Sequence, residues 1–133
     1  MIEGGATDWA SHSNQKGRLI EEMKDFNEAI DRVVDWVNTH SNWDETMVIV
    51  TGDHETGFLW GGDPFIAVKD QAKDVLPLMQ FNSTDHTNSL IPFFAKGTGS
   101  EYYMNYADEF DSLQGPFIQN SEIAQLIHLL WVK

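Results

Sequence analysis

A long amphipathic helix followed by a β-branched run is the sequence feature that most limits the possible folds of this chain. Between Asn14 and Thr39, apolar residues recur at three- and four-residue steps, which is the spacing of one helix face. Met47–Thr51 is then a continuous Met-Val-Ile-Val-Thr run, typical of a strand buried on both faces. Together with a short strand ending at Ile2, this order predicts an α/β fold with a parallel β-sheet flanked by helices.

The second half of the chain is less regular. Leu90–Ala95 is an apolar run that predicts a further strand, and the proline at position 92 places it at a sheet edge or makes it a strand start. Residues 98–117 are rich in Gly, Ser, Tyr and Asp and are predicted to form a loop. A terminal helix is predicted from Glu122 to Trp131, capped by Asn120 or Ser121. With no linker or repeat, the 133 residues are expected to form one domain or a large piece of one.

Charge and cysteine content restrict the partners and the kind of metal site. The net charge of −13 disfavours nucleic acid and anionic membranes as partners. The chain has no cysteine, which excludes disulfides and thiolate zinc sites, so any metal would be held by His, Asp and Glu.

Potential metal ligands lie beside the ends of the predicted strands. If Asp8–His12 is helical, these two side chains share one face and can converge on one ion, behind the flexible pair Gly4 and Gly5. The remaining candidates lie after the first strand, after the second strand and before the third: Glu3, Asp53, His54 and His86. Because parallel strands end at a common edge, we expect the groups after the first two strands to meet. Six ligands exceed the needs of one zinc, and they favour a multi-metal site.

The ordered set of motifs resembles a known family. Met-Ile-Glu-Gly-Gly at the start, Asp8 and His12, Thr-Gly-Asp-His at 51–54, and His86–Thr87 before a strand ending Phe-Ala-Lys-Gly are similar to the C-terminal half of an alkaline phosphatase. The resemblance implies part of an α/β/α sandwich. It also implies that the parent enzyme hydrolyses phosphate monoesters with two Zn²⁺ ions and one Mg²⁺.

The resemblance also implies a role for each motif residue. Asp8, His12 and His86 match the ligands of a first zinc, Asp53 and His54 match ligands of a second zinc, and Glu3 matches a magnesium ligand. Trp9 follows the first zinc aspartate, where family members carry a basic residue, His or Trp, so it is expected near the substrate.

The family's serine nucleophile has no match in this chain. We therefore expect residues 1–133 to be a C-terminal fragment without appreciable turnover, which needs a missing N-terminal half as its partner. The parent is expected to be periplasmic or secreted, as such enzymes usually are, and a homodimer is a further expectation.

Two alternatives stay open at this level. The parent could be another superfamily member, such as a phosphodiesterase or a phosphoglycerate mutase, although the Glu-Gly-Gly context of Glu3 favours a monoesterase. The chain could instead be a non-catalytic metal-binding or interaction module. His40 and His128 are interpreted as structural residues on helices, and Glu55 is either a surface carboxylate or a support of the neighbouring ligands.

Overall fold

A computed structural model describes residues 1–131 of the chain. Four α-helices are formed in these residues: α1 (Ala6–His12), α2 (Lys16–His40), α3 (Tyr103–Tyr106, directly after a 3₁₀ turn at Ser100–Tyr102) and α4 (Asn120–Trp131). The strands in these residues are short: β1 (Met47–Val50), β2 (Glu55–Thr56), β3 (Leu59–Trp60), β4 (Gln80–Phe81), β5 (His86–Thr87), β6 (Phe94–Gly97), β7 (Glu109–Asp111) and β8 (Gly115–Phe117). Within the same residues, no helix combines the length and the apolarity needed to cross a membrane.

The chain divides into two compact units, and the boundary falls within α2. The first unit comprises Met1–Val34 and His54–Ser89, and the second comprises Asp35–Asp53 and the chain from Leu90 onward. In the first unit the buried apolar side chains are Ala10, Met79 and Phe81.

The second unit is built on the antiparallel pair β1–β6. Its buried apolar side chains are Val37, Tyr103 and Leu126. The Tyr103 ring meets Phe93 edge-on, with centroids 4.9 Å apart, and its hydroxyl donates to the Ile123 carbonyl of α4 at 3.4 Å. Burial of the phenol raises the pKa of Tyr103.

The predicted helices are confirmed, with corrected ends. Residues 8–12 are helical as expected, and α2 begins at Lys16 because Asn14 has φ 52°, a left-handed conformation that breaks the helix between α1 and α2. The N-terminus of α4 has a different cap from the one predicted. The Glu122 carboxylate accepts the backbone N–H of Gln119 at 2.6 Å, as the third residue of a helix does for the cap residue in a capping box. The cap position is therefore Gln119, one residue before Asn120.

The parallel sheet is not confirmed, although the mixed α/β character is. The strand expected to end at Ile2 is irregular, and β1 instead pairs antiparallel with β6, with Met47 opposite Gly97 and Val50 opposite Phe94. The residues of β1 are half-buried and not fully enclosed. All strand pairs in residues 1–131 are antiparallel and two-stranded.

Two smaller predictions in the second unit are corrected. The third strand occupies Phe94–Gly97 and not Leu90–Ala95, because Pro92 lacks the N–H that a ladder needs, while its carbonyl accepts the Thr51 hydroxyl at 3.1 Å. The predicted loop at 98–117 contains α3 and the β7–β8 hairpin. Asp111 makes the hairpin turn by accepting the N–H groups of Leu113 and Gln114, both at 2.8 Å, and these bonds lower the pKa of its carboxyl.

Candidate metal centre

Helix α1 presents one carboxylate and one imidazole on the same face. Asp8 and His12 are four residues apart, and Asp8 Oδ2 lies 3.5 Å from His12 Nε2. Ala10 and Ser11 are the buried residues of the helix, and the Ser11 hydroxyl donates to the Thr7 carbonyl of the same helix at 2.9 Å. The Asp8 and His12 side chains are half-buried, and both contact residues of the segment 54–86.

The antiparallel pair β2–β5 supplies the other side chains of the site. Its register sets Thr56 opposite His86 and Glu55 opposite Thr87. His54 immediately precedes β2, and its imidazole stacks on that of His86 with centroids 3.6 Å apart. Glu55 accepts the Thr87 hydroxyl and the Leu59 N–H, so a carboxylate joins the two strands beside the histidines.

Four predicted ligands are brought together in the first unit. Ligand atoms of Asp8, His54 and His86 all lie within 4.8 Å of one another. His86 Nε2 is 3.5 Å from Asp8 Oδ1 and 3.1 Å from His12 Nε2. Residues separated by more than 70 positions in the chain thus converge on one small volume.

Hydrogen bonds with two threonines orient the four ligand residues, which we call the Asp8 cluster (Asp8, His12, His54 and His86). The Thr56 hydroxyl donates to Asp8 Oδ1 at 2.6 Å and lies 3.2 Å from His54 Nδ1. The Thr56 bond, together with the neighbouring histidines, lowers the pKa of Asp8. On the other side, His12 Nδ1 is 2.5 Å from the Thr84 carbonyl, which can only accept, so Nδ1 carries a hydrogen. In a neutral imidazole the lone pair is then on Nε2.

The donor set of the cluster fits a divalent cation. Ligands at about 2.05 Å from a tetrahedral zinc are about 3.4 Å apart. His12 Nε2 lies 3.1 Å from His86 Nε2 and 3.5 Å from Asp8 Oδ2, while His86 Nε2 lies 3.5 Å from the other carboxylate oxygen, Asp8 Oδ1. Two imidazole nitrogens directed at each other across 3.1 Å also need a proton or a cation between them. Imidazole and carboxylate are the zinc ligands available to a chain without cysteine.

The remaining predicted residues are Glu3, Asp53 and Trp9. Within residues 1–131, Glu3 belongs to no group of three such ligands; it lines an open pocket of about 160 Å³ whose walls include Glu22, Asp25 and Phe26. Asp53 is exposed and precedes His54 in the chain, in the segment of the second unit. Trp9 is 73% exposed on α1.

The residues interpreted as structural occupy helices. His40 is the last residue of α2, where its ring stacks on Trp36 with centroids 5.7 Å apart, and His128 is exposed in the last turns of α4. Glu55 holds Thr87 and Leu59, which favours its support role over that of a free surface carboxylate.

Sequence reasoning missed Thr56 and Thr84, the residues that orient the cluster. A signal for Thr56 was available, because residues i and i+2 of an extended segment lie on the same side and Thr56 is two positions after His54. The Thr84 contact is made by a backbone carbonyl, which every residue carries, so no sequence pattern could have indicated it.

Known proteins similar to this chain share one description. The family model described as "Alkaline phosphatase" matches residues 1–122. Alkaline phosphatase 3 of Bacillus subtilis (strain 168) is 32% identical over a stretch that covers 52% of this chain and 16% of that protein. The repressible alkaline phosphatase of Saccharomyces cerevisiae is 36% identical over 44% of this chain and 10% of that protein.

Solved structures show the same similarity. Alkaline phosphatase from the Antarctic bacterium TAB5 matches 76% of this chain and 28% of its own, with 33% identity and a TM-score of 0.59. A variant of the TAB5 enzyme, solved with Mg bound in the M3 site, matches with 32% identity and a TM-score of 0.57. The chain spans about a sixth of the length of the Bacillus relative and less than a third of the TAB5 enzyme. Since the family model extends over nearly the whole sequence, this chain belongs to the alkaline phosphatase family.

Proposed function

We propose that this chain is the metal-binding C-terminal portion of an alkaline phosphatase that hydrolyses phosphate monoesters with zinc and magnesium. The observation that carries the proposal is the convergence of Asp8, His54 and His86 within 4.8 Å, with His12 Nε2 a further 3.1 Å contact of His86. Family membership supports the enzyme class, because the relatives are named alkaline phosphatases.

In this proposal Asp8, His12 and His86 hold the first zinc. Support comes from the distances between their ligand atoms, 3.1 to 3.5 Å, and from the Thr84 carbonyl that leaves the His12 Nε2 lone pair directed into the cluster. His54 and Asp53 serve a second zinc, and Glu3 serves the magnesium, as the family resemblance implies. Trp9 lies beside Asp8 in sequence and is proposed to lie near bound phosphate.

The metal centre would supply charge neutralisation at the attacking and leaving oxygens of an in-line displacement at phosphorus. The residues of this chain contribute by holding the ligand atoms. The Asp8 carboxylate would offset part of the positive charge of a bound ion, while the Glu55 bridge between β2 and β5 keeps His86 in register. The serine nucleophile is proposed to come from the part of the family's length that this chain does not match, so residues 1–133 alone are expected to lack turnover.

Further proposals follow from the resemblance alone. The short strand pairs would be completed into a larger sheet with parallel strands by the N-terminal half of the enzyme. The parent would be periplasmic or secreted, and dimeric. A parent that hydrolyses bis-p-nitrophenyl phosphate faster than p-nitrophenyl phosphate would replace the monoesterase with a phosphodiesterase.

A zinc titration by calorimetry tests the proposal, with His86→Ala as the variant and His128→Ala as the matched control. Loss of an outer hydrogen-bond partner costs about 10–100-fold in metal affinity, and loss of a ligand should exceed this, so we expect His86→Ala to weaken zinc binding by about 100-fold or more. His128 is exposed on α4 and belongs to no group of three potential ligands within residues 1–131, so its variant should match the wild type. Zinc binding that is absent in the wild type, or that is equal in both variants, would refute the metal centre.

A further inference from the structure

The hydroxyl of Thr56 touches two of the proposed ligands at once. It lies 2.6 Å from Asp8 Oδ1 and 3.2 Å from His54 Nδ1. Thr56 is half-buried in β2, where the ladder with β5 fixes its backbone opposite His86. A half-buried side chain on a paired strand has little freedom to leave both contacts.

Counting donors and acceptors determines the direction of these bonds. A threonine hydroxyl has one proton to give, and an ionised carboxylate only accepts, so the proton goes to Asp8. The Thr56 oxygen then presents a lone pair to His54 Nδ1, and this contact is favourable only if Nδ1 carries a hydrogen. A neutral imidazole has one N–H, so Nε2 of His54 is left with the lone pair that a metal needs.

We propose that Thr56 is a positioning residue that selects the Nδ1–H tautomer of His54 and at the same time fixes the Asp8 carboxylate. This inference rests on the proposed function, because it names a support for the same metal centre. It assigns Thr56 a role that the sequence motifs did not predict, since the Thr-Gly-Asp-His motif stops at His54.

A consequence is that one hydroxyl couples ligands assigned to different zinc ions. Asp8 is proposed for the first zinc and His54 for the second, and both depend on the same oxygen atom. Removal of that oxygen should disturb both ions together, whereas loss of a ligand such as His86 should affect chiefly the first.

The tautomer of His54 is measurable on the metal-free chain. Long-range ¹H–¹⁵N correlation spectra at mildly alkaline pH, where histidines are generally neutral, distinguish protonated from unprotonated ring nitrogens. We expect the Nδ1–H form of His54 in the wild type and a raised Nε2–H population in Thr56→Val, which keeps the β-branched shape but lacks the hydroxyl. Thr56→Ser should restore the Nδ1–H form.

Zinc affinity of the same variants provides the second measurement. We expect Thr56→Val to bind zinc about 10–100-fold more weakly, with Thr56→Ser close to the wild type. Thr39→Val is the matched control, because the Thr39 hydroxyl contacts carbonyls of α2 and the His40 ring. Rescue by serine separates a role of the hydroxyl from a general effect on folding.

The two proposals fail in different ways. An Nε2–H form of His54 in the wild type, an identical tautomer in Thr56→Val, or undiminished zinc affinity in that variant would overturn the role of Thr56. Absence of zinc binding in the wild type would instead refute the proposed function, while the tautomer measurement would still decide what Thr56 does.

Discussion

Replacement of Gly57 by alanine should be among the most destabilising small changes in the first unit. Gly57 follows β2 with φ +92°, a backbone conformation that costs an L-residue about 1–2 kcal/mol. An added Cβ would lie 2.6 Å from Cδ1 of Phe81, which is buried, and 3.3 Å from the Ser11 carbonyl. Overpacking of this kind costs about 1–3 kcal/mol, so the sum is about 2–5 kcal/mol of unfolding free energy.

The same residue also positions the histidine side of the Asp8 cluster. The Gly57 N–H donates to the Asp85 carbonyl at 3.1 Å, and its own carbonyl accepts the N–H groups of Asn82 and Ser83, both at 3.0 Å. These bonds tie the end of β2 to the loop that leads into His86. A shift of Gly57 should therefore weaken zinc binding as well as stability.

Urea denaturation followed by circular dichroism measures the effect. With an m-value of about 2 kcal/mol/M, the centre of the usual range, the midpoint of Gly57→Ala should fall by about 1–2.5 M. Two glycines provide matched controls. Gly115 has φ +90° but open space around its Cα, so Gly115→Ala should show only the cost of the backbone conformation. Gly17 lies in α2 with no close neighbour and no positive φ, so Gly17→Ala should be neutral or stabilise the fold by up to about 1 kcal/mol.

The comparison isolates the steric contribution. Gly57→Ala should exceed Gly115→Ala by the cost of displacing Phe81. If the two variants lose the same stability, within the roughly 0.5 kcal/mol scatter of surface substitutions, then the contact with Phe81 does not contribute to the loss. That result would refute the steric argument.

The remaining predictions concern charge. Asp8→Asn should weaken zinc binding in the titration described above, since a neutral amide replaces a carboxylate ligand; equal affinity would remove Asp8 from the site. The pKa of Asp8 is lowered in the folded state, so the carboxylate stabilises the fold above about pH 3.8, and this stabilisation is lost as the pH falls through the folded-state pKa. In acid titrations of the metal-free chain, Asp8→Asn should therefore make the free energy of unfolding less dependent on pH in that range. Lys96→Met should cost about 0.5–1 kcal/mol in urea denaturation, because the Lys96 ammonium lies 4.3 Å from the centre of the Trp43 ring; no change in midpoint would contradict a cation–π contribution.

Local sequence accounts for α1, α2 and α4 and for half of the candidate site. Periodicity predicts α2 and α4, and the four-residue spacing of Asp8 and His12 predicts their shared face on α1, because these patterns depend on neighbours within one or two turns. The motif order also identifies the family, and the family model confirms it over residues 1–122.

Pairing partners and the assembly of the ligands required the tertiary structure. The β-branched run of β1 indicates a strand, but it does not indicate which strand it pairs with. The antiparallel register with β6 depends on packing between segments more than 40 residues apart. His12 and His86 are likewise brought to 3.1 Å by the packing of α1 against β2 and its partner β5. Sequence thus determined which side chains could bind a metal, since ligand chemistry belongs to the residue. The tertiary structure decided which of them meet and which threonine oxygen orients them, because distance and hydrogen-bond direction exist only after the chain has folded.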